Sequence, residues 1–153
     1  MMKPVAKKAT PAAIAVLRQA TAIKPSRKKA SDGLLPSAAH IKQSPDSDHN
    51  TGYAADLTHD PVNGIDCKDI FEKLKADKRV KYLIFHGKIW SAERAEEGNR
   101  NYTGSNKHDH HIHISIKDGC GYDTSPWFPW LGKPKVVNKV KATIKPLPKK
   151  KEN

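Results

Sequence analysis

Six consecutive residues, His111-Ile112-His113-Ile114-Ser115-Ile116, alternate strictly between a polar and an aliphatic side chain. A period of two belongs to an extended strand, since alternate side chains leave a strand on opposite faces. His111, His113 and Ser115 then share one face, with Ile112, Ile114 and Ile116 on the other. The isoleucine face packs on a core, so two imidazoles project side by side into a cleft. Any fold for this chain must contain a sheet that is greasy behind and histidine-lined in front.

The other elements fit around that strand. Thr10-Pro11 reads as a cap followed by proline at the first helical position, and predicts a helix over 11–23 that Pro25 ends. Residues 24–48, rich in Pro, Ser, Lys and Asp, read as loop. Tyr53 to Leu57 reads as a short strand. Asp66 caps a predicted helix whose apolar face is Cys67, Ile70, Phe71 and Leu74. Lys81 to His86 is a strand, Gly87 a turn, and Lys88-Ile89-Trp90 the returning arm of a hairpin. Residues 92–107 read as a polar loop. The expected fold class is α+β, a small, mostly antiparallel sheet flanked by helices.

Hydrophobic residues make up only 37% of the 153 residues, so the core is small. No apolar run approaches the roughly 18 residues a membrane span needs. Two cysteines exclude a disulfide-rich scaffold and a four-cysteine zinc site. Cys67, on a helix's apolar face, reads as a small core residue.

The net charge of +12 sits at the ends. Residues 1–30 carry eight Lys or Arg and no acid, and residues 133–153 carry eight Lys against Glu152 alone. The stretch between is mildly acidic, which disfavours nucleic acid as the ligand of the core. The organisation expected is a basic extension over 1–9, a catalytic domain over 10–132 and a Lys/Pro-rich tail over 133–153. The tail has no sustained period, is expected to be disordered or loosely docked, and suits an anionic polymer. The N-terminus carries no convincing signal peptide, which points to synthesis in the cytoplasm.

The chemistry sits in two short stretches. In Ser47-Asp48-His49-Asn50-Thr51-Gly52-Tyr53-Ala54-Ala55-Asp56, a loop end and a strand can bring His49 and Asp56 to one metal. Gly52 permits the turn and Ala54 leaves room beside it. The second stretch is the histidine face of the 111–116 strand. Zinc takes nitrogen and oxygen ligands, and a catalytic site uses three of them with one corner open. His49, Asp56 and one of His111 or His113 meet that count, and the other histidine stands within reach of an activated water. The competing reading is a histidine-rich surface that picks up metal adventitiously. Tyr102 and Trp90 are expected to frame the cleft, Tyr102 as a hydrogen-bond donor to an oxyanion. His40 is weighed as a group that orients a ligand. His108 and His110 are expected to line the mouth of the site. Trp127-Phe128-Pro129-Trp130 reads as an aromatic lid closing the core.

Ser47-x-His49-x-x-Gly52-x-Ala54-x-Asp56 resembles the S-x-H-x-x-G-x-A-x-D signature of D-alanyl-D-alanine metallopeptidases, a group related to lysostaphin-type peptidases and the hedgehog fold. Asp109-His110-His111-Ile112-His113-Ile114-Ser115 resembles the D-H-x-H-x-S ending of the same group, with one histidine more. The resemblance covers about residues 10–118. It implies a hedgehog-like zinc peptidase with His49, Asp56 and His113 as Zn2+ ligands and His111 in the catalytic position. Arg27, or else Lys28 or Lys29, would anchor a substrate carboxylate or oxyanion. The implied function is hydrolysis of peptidoglycan stem peptides by a monomeric phage endolysin, acting at the cell wall after release, as endopeptidase or D,D-carboxypeptidase. The alternative is a catalytically silent virion or wall-binding module of the same fold.

Overall fold

A computed structural model describes residues 6–135. Most of the basic extension and all of the tail beyond Lys135 lie outside the described residues. The fold is α+β: a five-stranded antiparallel sheet with few helices. The strands are β1 (Ala54–Thr58), β2 (Val80–Phe85), β3 (Lys88–Ser91), β4 (Arg100–Asn101) and β5 (His111–Ile116), in the spatial order β1-β5-β2-β3-β4. The alternating segment β5 is therefore an inner strand, paired on both sides.

Three helices accompany the sheet: α1 (Pro11–Ile23), α2 (Ala38–Gln43) and α3 (Cys67–Leu74). Thr10 caps α1, its Oγ1 accepting the Ala13 N–H, and Asp66 caps α3 by accepting from Lys68 N–H. Each carboxylate or hydroxyl satisfies a backbone donor that the first helical turn leaves free. The expected helix over 11–23 and the apolar face Cys67, Ile70, Phe71 and Leu74 are both present, and all four side chains are buried. The reading of 24–48 as loop needs one correction. Ser37 accepts the His40 N–H and starts α2, a six-residue helix with no buried residue. Too few apolar residues recur there for a period to show.

The core lies between one sheet face and α1 and α3. Ala55 and Leu57 of β1 stand opposite Ile114 and Ile112 of β5, and Leu83 of β2 also faces Ile114. Val16, Ile70, Leu74, Ile112, Ile114 and Ile116 are all essentially inaccessible. Trp127 and Phe128 close the core as expected, Trp127 with its indole Nε1 donating to Ala12 O at 2.9 Å. Trp90 does not frame a cleft, because it is buried in this same core. The Cys67 thiol is buried too, and burial pushes its pKa up to about 12, as expected of an inert core residue.

Two backbone features set the register around β5. His86 and Gly87, both at positive φ (50° and 78°), make the two-residue connection between β2 and β3 that a type I′ turn requires. A shift of register between Val80 and Tyr82 inserts one extra residue in β2 against β5. That bulge leaves Val80 facing the core while Tyr82 faces Ser115, on the histidine side of the sheet.

Arg27 is turned inward. Its guanidinium pairs with Asp32 at 2.6 and 3.0 Å, and its remaining donors go to Thr21 Oγ1, Lys28 O and Leu17 O. No donor is left for a substrate, so the expectation that Arg27 anchors one is corrected. Asp32 in turn accepts from the Thr58 backbone N–H and hydroxyl, which ties the 24–33 loop to the end of β1. Burial works against the Asp32 carboxylate, yet the Arg27 and Thr58 hydrogen bonds prevail and hold its pKa below the ordinary range. Arg27→Ala leaves that carboxylate without its partner. The expected cost is about 3 kcal/mol in urea unfolding at pH 7, as for other broken buried pairs.

Candidate metal centre

The side of the sheet away from α1 and α3 carries the histidines. Asp56 of β1 and His113 of β5 are directly opposite in the ladder, so their side chains rise together from neighbouring strands. His49 comes from a 3-10 turn, Asp48–Thr51, just before β1. Gly52 ends that turn at φ 80°, and a Cβ there would fall 2.7 Å from Lys8 O. Any other residue would have to displace the chain that delivers His49.

One donor atom from each of His49, Asp56 and His113 lies within 4.8 Å of the other two. His49 Nε2 is 3.1 Å and His113 Nδ1 3.3 Å from Asp56 Oδ1. The far nitrogen of each ring is tied down. His49 Nδ1 donates to Leu34 O at 2.6 Å, and His113 Nε2 lies 2.7 Å from Ser115 Oγ. These outer bonds fix each ring so that a lone pair can face inward, as metal-ligating histidines require. The three groups could therefore hold a metal ion, as the sequence spacing suggests.

Asp56 is further held from the other edge. Gly33 exchanges both backbone hydrogen bonds with it, at 2.8 and 3.1 Å. A Cβ on Gly33 would come within 3.2 Å of Asp56 Oδ2, so the loop approaches as closely as the missing side chain allows. Burial opposes ionisation of Asp56, but His113 and His49 outweigh it and hold the carboxyl far below its usual range. Burial likewise pulls His49 down, and the hydrogen bond and charge of Asp56 reverse this, so its pKa is raised.

His111 sits one step along the same face, its Nε2 3.6 Å from Asp56 Oδ2. Burial pushes its pKa down, with Asp56 opposing in part. Tyr102 reaches the rim, its ring 5.6 Å from that of His108. The structure thus gathers His49, Asp56, His113 and His111, with Tyr102 one residue further out, and leaves Arg27 aside.

Three neighbours escaped the sequence reading or were undervalued by it. His108 is buried, and its ring centre is 4.9 Å from His111 and 5.7 Å from His113. It takes positive φ (59°) to get there, and its Nδ1 donates to Asn106 O. Burial, with His113 and His111 alongside, pushes its pKa down to about 4. Tyr82 stacks on His113 at 5.3 Å, from the strand position opposite Ser115. The Leu34 carbonyl is backbone, so no residue type announces it. His59, by contrast, serves local structure, its Nδ1 accepting the Cys67 N–H at the start of α3.

A cleft of about 190 Å3 opens beside the triad, bordered by Leu34–Ser37, His40, His49 and Asp56. A larger cavity of about 670 Å3 lies elsewhere, between α3 and the β2–β3 hairpin, and contains none of the three candidate ligands.

A scan against protein-family models matches residues 6–113 to the family described as VldE, C-terminal domain, and to no peptidase family. No curated protein and no solved structure matches the chain. The match takes in His49, Asp56, His111 and His113 and overturns the D-alanyl-D-alanine peptidase resemblance. With it fall the peptidoglycan-hydrolysing endolysin and its wall-binding alternative. The physical reason is that the shared motif encodes a way to seat three ligands on a loop and two strands, which says nothing of the substrate. By the extent of that match, the chain belongs to the VldE C-terminal domain family.

Proposed function

We propose that this domain is a metal-dependent hydrolase with a single divalent ion, zinc by the chemistry of its donors. The observation that carries the reading is the convergence of two oriented imidazoles and one carboxylate beside an open cleft. Nitrogen and oxygen donors in threes suit a catalytic zinc site, whereas structural zinc sites are closed and favour thiolates. When bound, the ion would supply Lewis acidity and bring the pKa of a coordinated water down to about 7.

The chain's own residues divide the remaining work. His49, Asp56 and His113 would hold the ion, with Leu34 O and Ser115 Oγ keeping the rings in place. His111, half-buried and neutral at pH 7, accepts a proton at its free nitrogen and returns it to a leaving group. Tyr102 offers its phenol at the rim to a developing negative charge. Leu34, Leu35 and Pro36 give the cleft an apolar wall.

The test is to load purified protein with Zn2+, measure ions per chain after dialysis, and follow hydrolysis of p-nitrophenyl acetate. One ion per chain and turnover above that of free zinc are expected. His111→Ala should retain the ion and lose activity by about a hundredfold or more. Equal activity in the variant would remove His111 from the mechanism, and failure to retain zinc would remove the metal.

A further inference from the structure

The exposed helix α2 brings one more imidazole to the centre. His40 is the third residue of α2, and Ser37 Oγ fixes its backbone by accepting the His40 N–H at 3.1 Å. Its Nε2 is buried and has no hydrogen-bond partner, which holds for no other histidine nitrogen among the described residues. An imidazole nitrogen withdrawn from water without a partner costs roughly 1–3 kcal/mol, so such an atom calls for a ligand.

The surroundings say which. The His40 ring lies edge-on to His49, with centres 5.8 Å apart and planes at 85°. His49 and His113 have nearly the same relation, at 4.9 Å and 80°. Two imidazoles on one tetrahedral zinc, with Zn–N bonds of about 2.0–2.1 Å, put their ring centres roughly 5 Å apart. The His40 ring thus stands within about 1 Å of the spacing that an ion shared with His49 would impose, and it borders the same cleft as His49 and Asp56.

We propose that His40 is a fourth protein ligand, carried by α2, that closes the metal centre in its resting state and leaves when substrate enters the cleft. This inference rests on the metal-centre reading above. A hydrolytic site has to open, and α2 is suited to move because none of its residues is buried. Its displacement would uncover no core. The resting centre then has three nitrogen donors and one oxygen donor, and the open one two and one.

Cobalt substitution of the full chain tests this. In the proton NMR spectrum of the Co2+-loaded protein, each coordinated histidine contributes one strongly shifted, exchangeable N–H resonance. Wild type should show three, and His40→Gln two, with Co2+ affinity weakened by at least about tenfold. Two resonances in wild type, or three in both proteins, would overturn the assignment of His40 while leaving the metal centre standing. If wild type binds no Co2+, the metal-centre reading itself fails, which is a different result from either of these.

Discussion

Asp56→Asn is expected to weaken divalent-ion binding by more than about a hundredfold, the largest functional effect of any single substitution in the domain. The carboxylate is the one anionic donor of the triad, and both histidines are set against its Oδ1. An amide keeps the shape but supplies neither the charge nor an equivalent second oxygen. Isothermal titration with Zn2+ measures the loss directly, and an affinity within threefold of wild type would exclude Asp56 as a ligand. The pH dependence should change as well. His49 has a raised pKa because of Asp56, so in wild type a proton must leave before an ion can bind. Affinity therefore rises with pH up to that raised pKa, and Asp56→Asn should move the rise to lower pH. Without metal the sign for stability differs between the partners. The depressed Asp56 contributes above about pH 4 and loses its contribution as pH falls. The raised His49 contributes below about pH 6.5 and loses its contribution as pH rises through its folded value. The metal-free pair thus stabilises most between those limits.

Trp127→Ala should produce the largest loss of stability, about 3–5 kcal/mol, from the void left by a fully buried indole. Thermal unfolding at pH 7 should fall by about 10 °C or more. The loss is compounded by two polar contacts. The indole N–H holds the Ala12 carbonyl at the start of α1, and the ring face lies 3.6 Å from the Arg79 guanidinium. Arg79 also binds the carbonyls of Asp123, Ser125 and Pro126, so the segment that carries Trp127 loses its reason to stay docked. Trp130→Ala provides the contrast, since that residue is only half-buried. A change of less than about 1 kcal/mol for Trp127→Ala would mean that the segment does not complete the core.

The parts of the fold legible in the sequence are those where one periodicity governs. The alternation at 111–116, the spacing of Cys67, Ile70, Phe71 and Leu74, and the Thr10-Pro11 start each map onto an observed element. The candidate ligand set was legible in part for the same reason. The pattern marked His49, Asp56 and the His111/His113 pair but left that pair open; the pairing of β1 with β5, which sets Asp56 opposite His113, selects between them. What remained hidden depends on long-range placement. Helix α2 has no buried face to leave a pattern, the bulge that turns Val80 into the core has no residue signature, and the role of Arg27 is decided by Asp32 and Thr58. The substrate class was misjudged because a ligand motif specifies a cage and carries no information about what enters it.

The hydrogen bond from His49 to the Leu34 carbonyl bears on how such a domain can diversify. Main-chain oxygens survive every side-chain replacement, so the tautomer of this imidazole is insulated from mutation at position 34. Leu35, which is exposed, can then be exchanged for bulkier, smaller or charged residues, reshaping the cleft while the carbonyl of Leu34, whose side chain packs against the core, stays in place. The shape of the cleft and the orientation of the His49 ring are thereby separately adjustable, and position 35 is where the former can be varied alone.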